Sequence, residues 1–180
     1  MPECEQWESF FDAERVVELL GCVKMPGDIV EFGCGFGTFT LPAARRTSGV
    51  VYALDIDPAM VSQVAAAPLS NIVALECDFI ANGTGLPDAS VVHAMVFNIL
   101  HVEDPVGILR EACRALVPGG KVSIIHWRSD LKTPRGPSLE IRPSLDQCRA
   151  WAEEAGFVNP RVIHLGQSAA WHYGLVLAKP

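Results

Sequence analysis

A chain of 180 residues is the length of one domain around a single core, and 49% hydrophobic with 19% charged content marks it as folded rather than disordered. Its formal net charge of −7 argues against the basic face that a phosphate backbone needs, so no nucleic-acid partner is expected. No run approaches the ~20 apolar residues of a membrane span, so no membrane insertion is expected, and the opening Met1-Pro2-Glu3-Cys4-Glu5 does not read as a signal peptide. The cysteines (Cys4, Cys22, Cys34, Cys77, Cys113 and Cys148) contain no C-x-x-C pair, which fits reduced thiols in a cytoplasmic protein without a metal site.

Along the chain, Trp7, Phe10, Phe11, Val17 and Leu20 fall at helical spacing, which predicts one amphipathic helix over residues 5–20. Met25-Pro26-Gly27 turns the chain into a first strand, about 28–33. Three alternating glycines follow, and a helix is expected from Thr38, whose hydroxyl would cap it, with Pro42 tolerated near its first turn. A second strand runs from Val50 to Asp55, and Asp57-Pro58 supplies a cap and a proline at the first helical position. Further strands are expected at Asn71–Glu76 and Val91–Phe97. Asp104-Pro105 opens a helix by the same chemistry, closing at Val117-Pro118-Gly119-Gly120. Lys121–His126 reads as a fifth strand and residues 144–155 as a helix ended by Gly156. Asn159–Leu165 and Trp171–Lys179 are strands joined so briefly that they must be antiparallel. Alternating strands and helices give an α/β fold, a doubly wound and mostly parallel sheet in one domain. Residues 1–26 form its N-terminal helical segment and 27–180 its core.

The most informative segment is Val30-Glu31-Phe32-Gly33-Cys34-Gly35-Phe36-Gly37-Thr38. A strand that breaks into glycines and then enters a helix brings backbone N–H groups and the positive helix end close to a ligand. The dinucleotide fingerprint G-x-G-x-x-G is not met, because Thr38 stands where the third glycine would fall. The pattern is E-x-G-x-G-x-G instead. A carboxylate at Glu31 repels a pyrophosphate and attracts a ligand carrying an ammonium or a sulfonium.

Here the chain resembles the class I S-adenosylmethionine-dependent methyltransferases, whose first motif is acid-x-G-x-G-x-G. Glu31, Gly33, Gly35 and Gly37 match it position by position, and the resemblance runs from about residue 27 to the end. It implies a Rossmann-like sheet of seven strands in the order 3-2-1-4-5-7-6, the last antiparallel. It also implies S-adenosylmethionine as cofactor, with the glycine loop around its methionine part and Glu31 holding the ammonium, usually through water. Cys34 lies within that loop, its backbone contributing and its side chain a small buried filler. Asp55 ends the second strand, 22 residues after Gly33, where a doubly wound fold offers a carboxylate to a ribose diol. By resemblance Ile56 packs on the adenine and Asp78 accepts from its amino group, beside Phe79; a plain turn aspartate is the alternative for Asp78. Asp57 reads as a helix cap. Among relatives the chain looks most similar to the ubiquinone- and menaquinone-biosynthesis-like branch.

The loop after the fourth strand, Phe97-Asn98-Ile99-Leu100-His101, sits at the switch point and faces both cofactor and acceptor. Phe97 is assigned to the cofactor and Asn98 to the acceptor. His101 and His126 are the candidate proton acceptors, the alternative being polar loop residues. Trp127, Arg128, Arg135 and Arg142 end the fifth strand and continue into a proline-stiffened segment, which suggests an anionic small-molecule acceptor, a merely solvated loop being the alternative. His93 stands where the family often has Asp, a position usually structural. Trp7, Phe10 and Phe11 would form either a lid or a core helix. The reaction expected is in-line methyl transfer, which asks the protein for alignment and exclusion of water more than for catalytic side chains. A binding protein that keeps the pocket without transferring, and an NAD-type oxidoreductase, are the alternatives; monomer and homodimer both remain open.

Overall fold

The central strand β1 (Ile29–Phe32) is buried at all four positions because it has strands on both sides and helices on both faces. The computed structural model describes residues 4–22 and 26–180. Around β1 lie β2 (Val51–Asp55), β3 (Ile72–Glu76), β4 (Val91–Phe97), β5 (Leu116–Trp127), β6 (Val158–Ile163) and β7 (His172–Ala178). Their order is β3-β2-β1-β4-β5-β7-β6. The first five are parallel, and β7 runs antiparallel between β5 and β6, as expected.

Seven α-helices are described: α1 (Cys4–Glu8), α2 (Ala13–Leu19), α3 (Thr40–Arg46), α4 (Pro58–Ala65), α5 (Phe79–Asn82), α6 (Pro105–Ala115) and α7 (Leu145–Glu154). Strand alternation divides the core between two faces of the sheet. Val30 and Phe32 join Leu109 and Ala112 of α6 and Ala152 of α7. Ile29 packs instead with Val16 and Val17 of α2 and Ala43 of α3. Glu31 shares the parity of Ile29, so its carboxyl faces α3. That parity places an acid under the start of a helix.

Four local expectations are corrected. The stretch over residues 5–20 is two helices, because Asp12 accepts the Arg15 N–H at 3.1 Å and starts α2 afresh, while its own N–H donates to the Ser168 carbonyl. Thr38 does not cap α3; the helix begins at Thr40, and the Thr38 hydroxyl has no hydrogen-bond partner. The short helix α5, capped by Asp78, and single 3₁₀ turns at Leu139–Ile141 and Gly166–Ala169 add elements that the sequence pattern does not announce. Strand β5 also starts at Leu116, earlier than Lys121, directly after α6. Met25 lies outside the described residues.

Other expectations hold in detail. Asp57 accepts from Ala59 N–H at 2.8 Å and Asp104 from Gly107 N–H at 2.8 Å, each with proline at the helix start. His93 is buried and structural: its Nε2 lies 2.7 Å from Ser123 Oγ and 3.1 Å from Cys22 Sγ, linking the end of the α2 segment to the sheet. Burial holds its pKa down to about 3, so the ring is neutral. Replacing Asp104 by Ala removes the α6 cap and is expected to lower unfolding free energy by about 1 kcal/mol in urea melts, with most of the loss absent in Asp104→Asn.

Candidate active site

The loop that leaves β1 turns by backbone geometry that favours glycine. Gly33, Gly35 and Gly37 have φ of +76°, +50° and +82°. The Leu54 carbonyl accepts from both Gly33 N–H (2.9 Å) and Cys34 N–H (2.8 Å), pinning the loop to the end of β2. A Cβ on Gly33 would lie 3.1 Å from Ile99 Cγ2, so the loop also abuts the segment after β4. The ends of three strands thus close on one point, the switch between β1 and β4.

Asp55 completes the loop. Its Oδ2 accepts the Gly35 N–H at 2.8 Å and its Oδ1 accepts the Asp57 N–H at 3.0 Å. Each carboxylate oxygen keeps further acceptor capacity. Glu31 lies below, 1% exposed, and takes a hydrogen bond from the Thr40 hydroxyl. Burial pushes its pKa up to about 8; the Thr40 bond opposes this and the Asp55 charge adds to it.

A cavity of about 390 Å³ opens over this loop. Of the positions singled out for the cofactor, Glu31, Gly33, Cys34, Gly35, Asp55, Ile56, Asp78, Phe79 and Phe97 line it, as does Asn98; Gly37 does not. Every ionic side chain on the wall is acidic, with Asp57 joining Glu31, Asp55 and Asp78. Trp7 of α1, Phe36 and Phe39 add aromatic surface. Sequence reasoning missed Phe36, Phe39, Cys77, Ile80 and Ile99 as lining residues; their only signal was proximity to the glycine loop or to strand ends. Thr38 was read as a cap and lines the wall instead.

Two side chains on this wall bury polar atoms without protein partners. Thr38 Oγ1 is one, and both amide atoms of Asn98 are the others. Asn98 also holds φ at +59°, an uncommon conformation for a side-chain-bearing residue. Unpaired buried donors and acceptors are costly, and on this wall, among the described residues, these are the atoms that a ligand group or a water could satisfy.

Beyond the cavity, His101 and His126 meet, with Nδ1 of the first 3.3 Å from Nε2 of the second. His101 is half-buried and burial lowers its pKa. His126 is fully buried; burial, then the neighbouring His101 and Arg142, bring its pKa down to about 4. Trp127 is 2% exposed, and Trp7 and Phe10 approach its ring edge-on at 6.2 and 5.4 Å.

The arginines do not converge on the cavity. Arg128 pairs with Asp130 at 2.6 Å, and Arg135 donates to the Gln6 side chain of α1 at 2.5 Å. Arg142 is buried, donates to the carbonyls of Pro137, Arg128 and Arg135, and lies over the Trp127 ring at 5.6 Å. It braces the segment and its guanidinium is spent on carbonyls, which corrects the expectation that it stands ready for an acceptor. Among the described residues no cluster of metal-ligating side chains is found, and no helix is long and apolar enough to cross a membrane.

Comparison with known proteins bears on what the cavity holds. The family described as methyltransferase domain matches residues 30–124, more than half of the chain. Ribosomal protein L11 methyltransferase of Dechloromonas aromatica is 34% identical over 98 residues, covering 53% of this chain and 31% of that protein. The chain spans about a third of the length of the curated relatives it matches. Among solved structures, a SAM-dependent methyltransferase from Aquifex aeolicus shares the fold with a TM-score of 0.84 at 23% identity, covering 99% of this chain and 94% of that one. A putative type 11 methyltransferase from Sulfolobus solfataricus gives a TM-score of 0.72 at 26% identity, covering 92% of this chain and 90% of that one. The matched segment contains Glu31, the three glycines, Asp55 and Asn98, and the chain belongs to the methyltransferase domain family.

Proposed function

We propose that the protein transfers a methyl group from S-adenosylmethionine to a small-molecule acceptor. One observation carries this reading: an acid-walled, aromatic-lined cavity over a glycine loop, with a buried carboxyl at its floor and orphaned polar atoms at its side. Acids with no basic residue on the wall among the described residues suit a ligand bearing an ammonium and a sulfonium. When bound, S-adenosylmethionine supplies an electrophilic methyl on a sulfonium with its own leaving group. The protein's work is then placement. Glu31 faces the ammonium, Gly33, Cys34 and Gly35 present backbone to the methionine part, Gly37 shapes the loop from behind the cavity wall, and Asp55 offers its remaining lone pairs to the ribose. Ile56 and Phe79 flank the adenine, with Asp78 near its amino group while capping α5. Phe97 and Asn98 stand toward the transferred methyl, and Trp7 shields that side from water.

Further parts of the reading rest on sequence. The domain comprises residues 1–180, acts in the cytoplasm as a monomer or homodimer, binds no nucleic acid, and lies near the ubiquinone- and menaquinone-biosynthesis-like branch. An anionic acceptor would be met at the rim by Arg128 and Arg135, which would exchange Asp130 and Gln6 for it. His101, His126 and Trp127 belong to the acceptor side.

Methyl-labelled cofactor incubated with the protein and a metabolite extract tests the central claim. Label in a small-molecule product is expected; label only in macromolecules would overturn the acceptor class, and tight cofactor binding without any transfer would overturn the enzyme. Asp55→Ala is expected to weaken S-adenosylhomocysteine binding by about 1.5–3 kcal/mol in calorimetry, the scale for losing hydrogen bonds to a charged group. Arg135→Ala is expected to raise the acceptor KM with cofactor affinity nearly unchanged, and identical kinetics in the variant would remove this arginine from recognition.

Glu31 gives a pH signature. Below about pH 8 its carboxyl is largely protonated, and pairing with an ammonium requires the carboxylate. Cofactor binding near neutral pH therefore releases a proton, and affinity rises as pH increases toward 8 and then levels. Calorimetry in buffers of different ionisation heat reads the proton directly; Glu31→Gln should abolish its release. For folding the sign is opposite. The folded pKa lies above the ordinary 4.5, so the stability contributed by the protonated acid is full below 4.5 and is lost as pH rises through about 8.

A further inference from the structure

The two acceptor-side histidines form a chain whose hydrogen-bond polarity is fixed at one end. His126 Nδ1 lies 3.4 Å from the Trp127 backbone carbonyl, and its Nε2 lies 3.3 Å from His101 Nδ1. A carbonyl oxygen only accepts. His126 is fully buried, so water does not replace either partner. Its ring is stacked near Tyr173, with centroids 6.4 Å apart and planes at 27°, which holds its plane. A neutral imidazole carries one N–H. If that hydrogen were on Nε2, the Nδ1 lone pair of His126 would face the carbonyl lone pairs inside the protein. With the hydrogen on Nδ1, the carbonyl is satisfied and Nε2 becomes an acceptor. The His101 Nδ1 must then carry a hydrogen and donate it. Nε2 of His101 is then the unprotonated ring nitrogen, with its lone pair available to accept a proton.

We propose that His126 is a positioning residue which, anchored on the Trp127 carbonyl, locks neutral His101 in the Nδ1–H form so that His101 Nε2 is the proton acceptor of the site. This deepens the methyl-transfer reading and rests on it for its chemical purpose. His101 is three residues beyond Asn98 on the loop that follows β4, where the cavity wall ends. An oxygen or nitrogen acceptor that bears a proton loses it to His101 Nε2 as its lone pair forms the new bond to the methyl carbon. The carbon–sulfur bond breaks with its electron pair going to sulfur, turning the sulfonium into a neutral thioether. The half-buried His101 then passes the proton to solvent. The carbonyl and His126 move no proton; they fix which nitrogen is free, as the orienting partner of a catalytic imidazole does elsewhere.

The arrangement is tested without acceptor or cofactor, so its failure is separable from a failure of the methyl-transfer reading. Nitrogen-15 spectra of histidine-labelled protein at mildly alkaline pH distinguish protonated from unprotonated ring nitrogens. Both His101 and His126 are expected as Nδ1–H tautomers, whereas an unconstrained neutral imidazole prefers Nε2–H. An Nε2–H signal for His101 in the unmodified protein overturns the proposal with no variant needed. His126→Leu should return His101 to the Nε2–H form. His126→Gln should restore Nδ1–H, because its amide can donate to the carbonyl and accept from His101. Persistence of the Nδ1–H form in a folded His126→Leu protein also overturns it. Once an acceptor is in hand, His126→Leu is expected to lower kcat at least tenfold with KM little changed, and the Gln variant to recover most of it.

Discussion

Burying an ionisable acid at the end of the central strand sets the terms for the rest of the site. The carboxyl of Glu31 is cut off from water by the sheet on one side and by α3 on the other, and the Thr40 hydroxyl is its hydrogen-bonding neighbour. That hydroxyl is free to serve it because Thr40, the first residue of α3, follows a glycine loop that delays the helix by two residues relative to Thr38. The loop in turn holds its shape because the Leu54 carbonyl and Asp55 carboxylate take three of its N–H groups. One acid on β1 is therefore coupled to a second acid on β2 through backbone rather than through direct contact. Burial first, and then the nearby Asp55 charge, keep Glu31 largely protonated at neutral pH, and a cation placed beside it would favour the carboxylate.

The cofactor half of the site was legible in the sequence because it is written in local terms. Acid, glycine spacing, strand length and the Asp-Pro caps are short-range signals, and Glu31, Gly33, Gly35 and Asp55, which they named, line one cavity, whereas Gly37 does not. The strand order followed from resemblance, and β7 between β5 and β6 agrees with it. The acceptor half depends on which side chains meet across the chain. Arg142 looked like an available cation, yet three carbonyls of its own segment and the face of Trp127 take it up. Arg135 finds Gln6, a partner 129 positions away. No periodicity reports such meetings. The same limit explains the N-terminal break: the helical spacing of apolar residues was real, but Asp12 binds a local N–H and its own N–H is claimed by Ser168.

Trp127 is where these long-range meetings converge. It closes β5, takes Trp7 and Phe10 from the N-terminal segment on its edges, stacks near His172 at 4.1 Å and carries Arg142 over its ring. Gly136 is required beside it, since a Cβ there would come within 2.8 Å of the indole. Its side chain packs against Trp7 of α1, and its backbone carbonyl lies 3.4 Å from His126 Nδ1. Helix α1 has no buried residue of its own, so it keeps its place through Trp7, Phe10 and the Gln6–Arg135 bond.

Ile56 is 63% exposed at the cavity and Ile80 on the same wall is 58% exposed. Neither has a polar end, so in the free protein both hold water against hydrocarbon. The fold thus leaves apolar surface uncovered on the cavity wall, and a ligand with a flat apolar face would cover it. Removing that apolar area from water carries a negative heat-capacity change. The enthalpy of cofactor binding must then grow more favourable with temperature, and two isoleucines make occupancy of the site a thermal as well as a chemical variable.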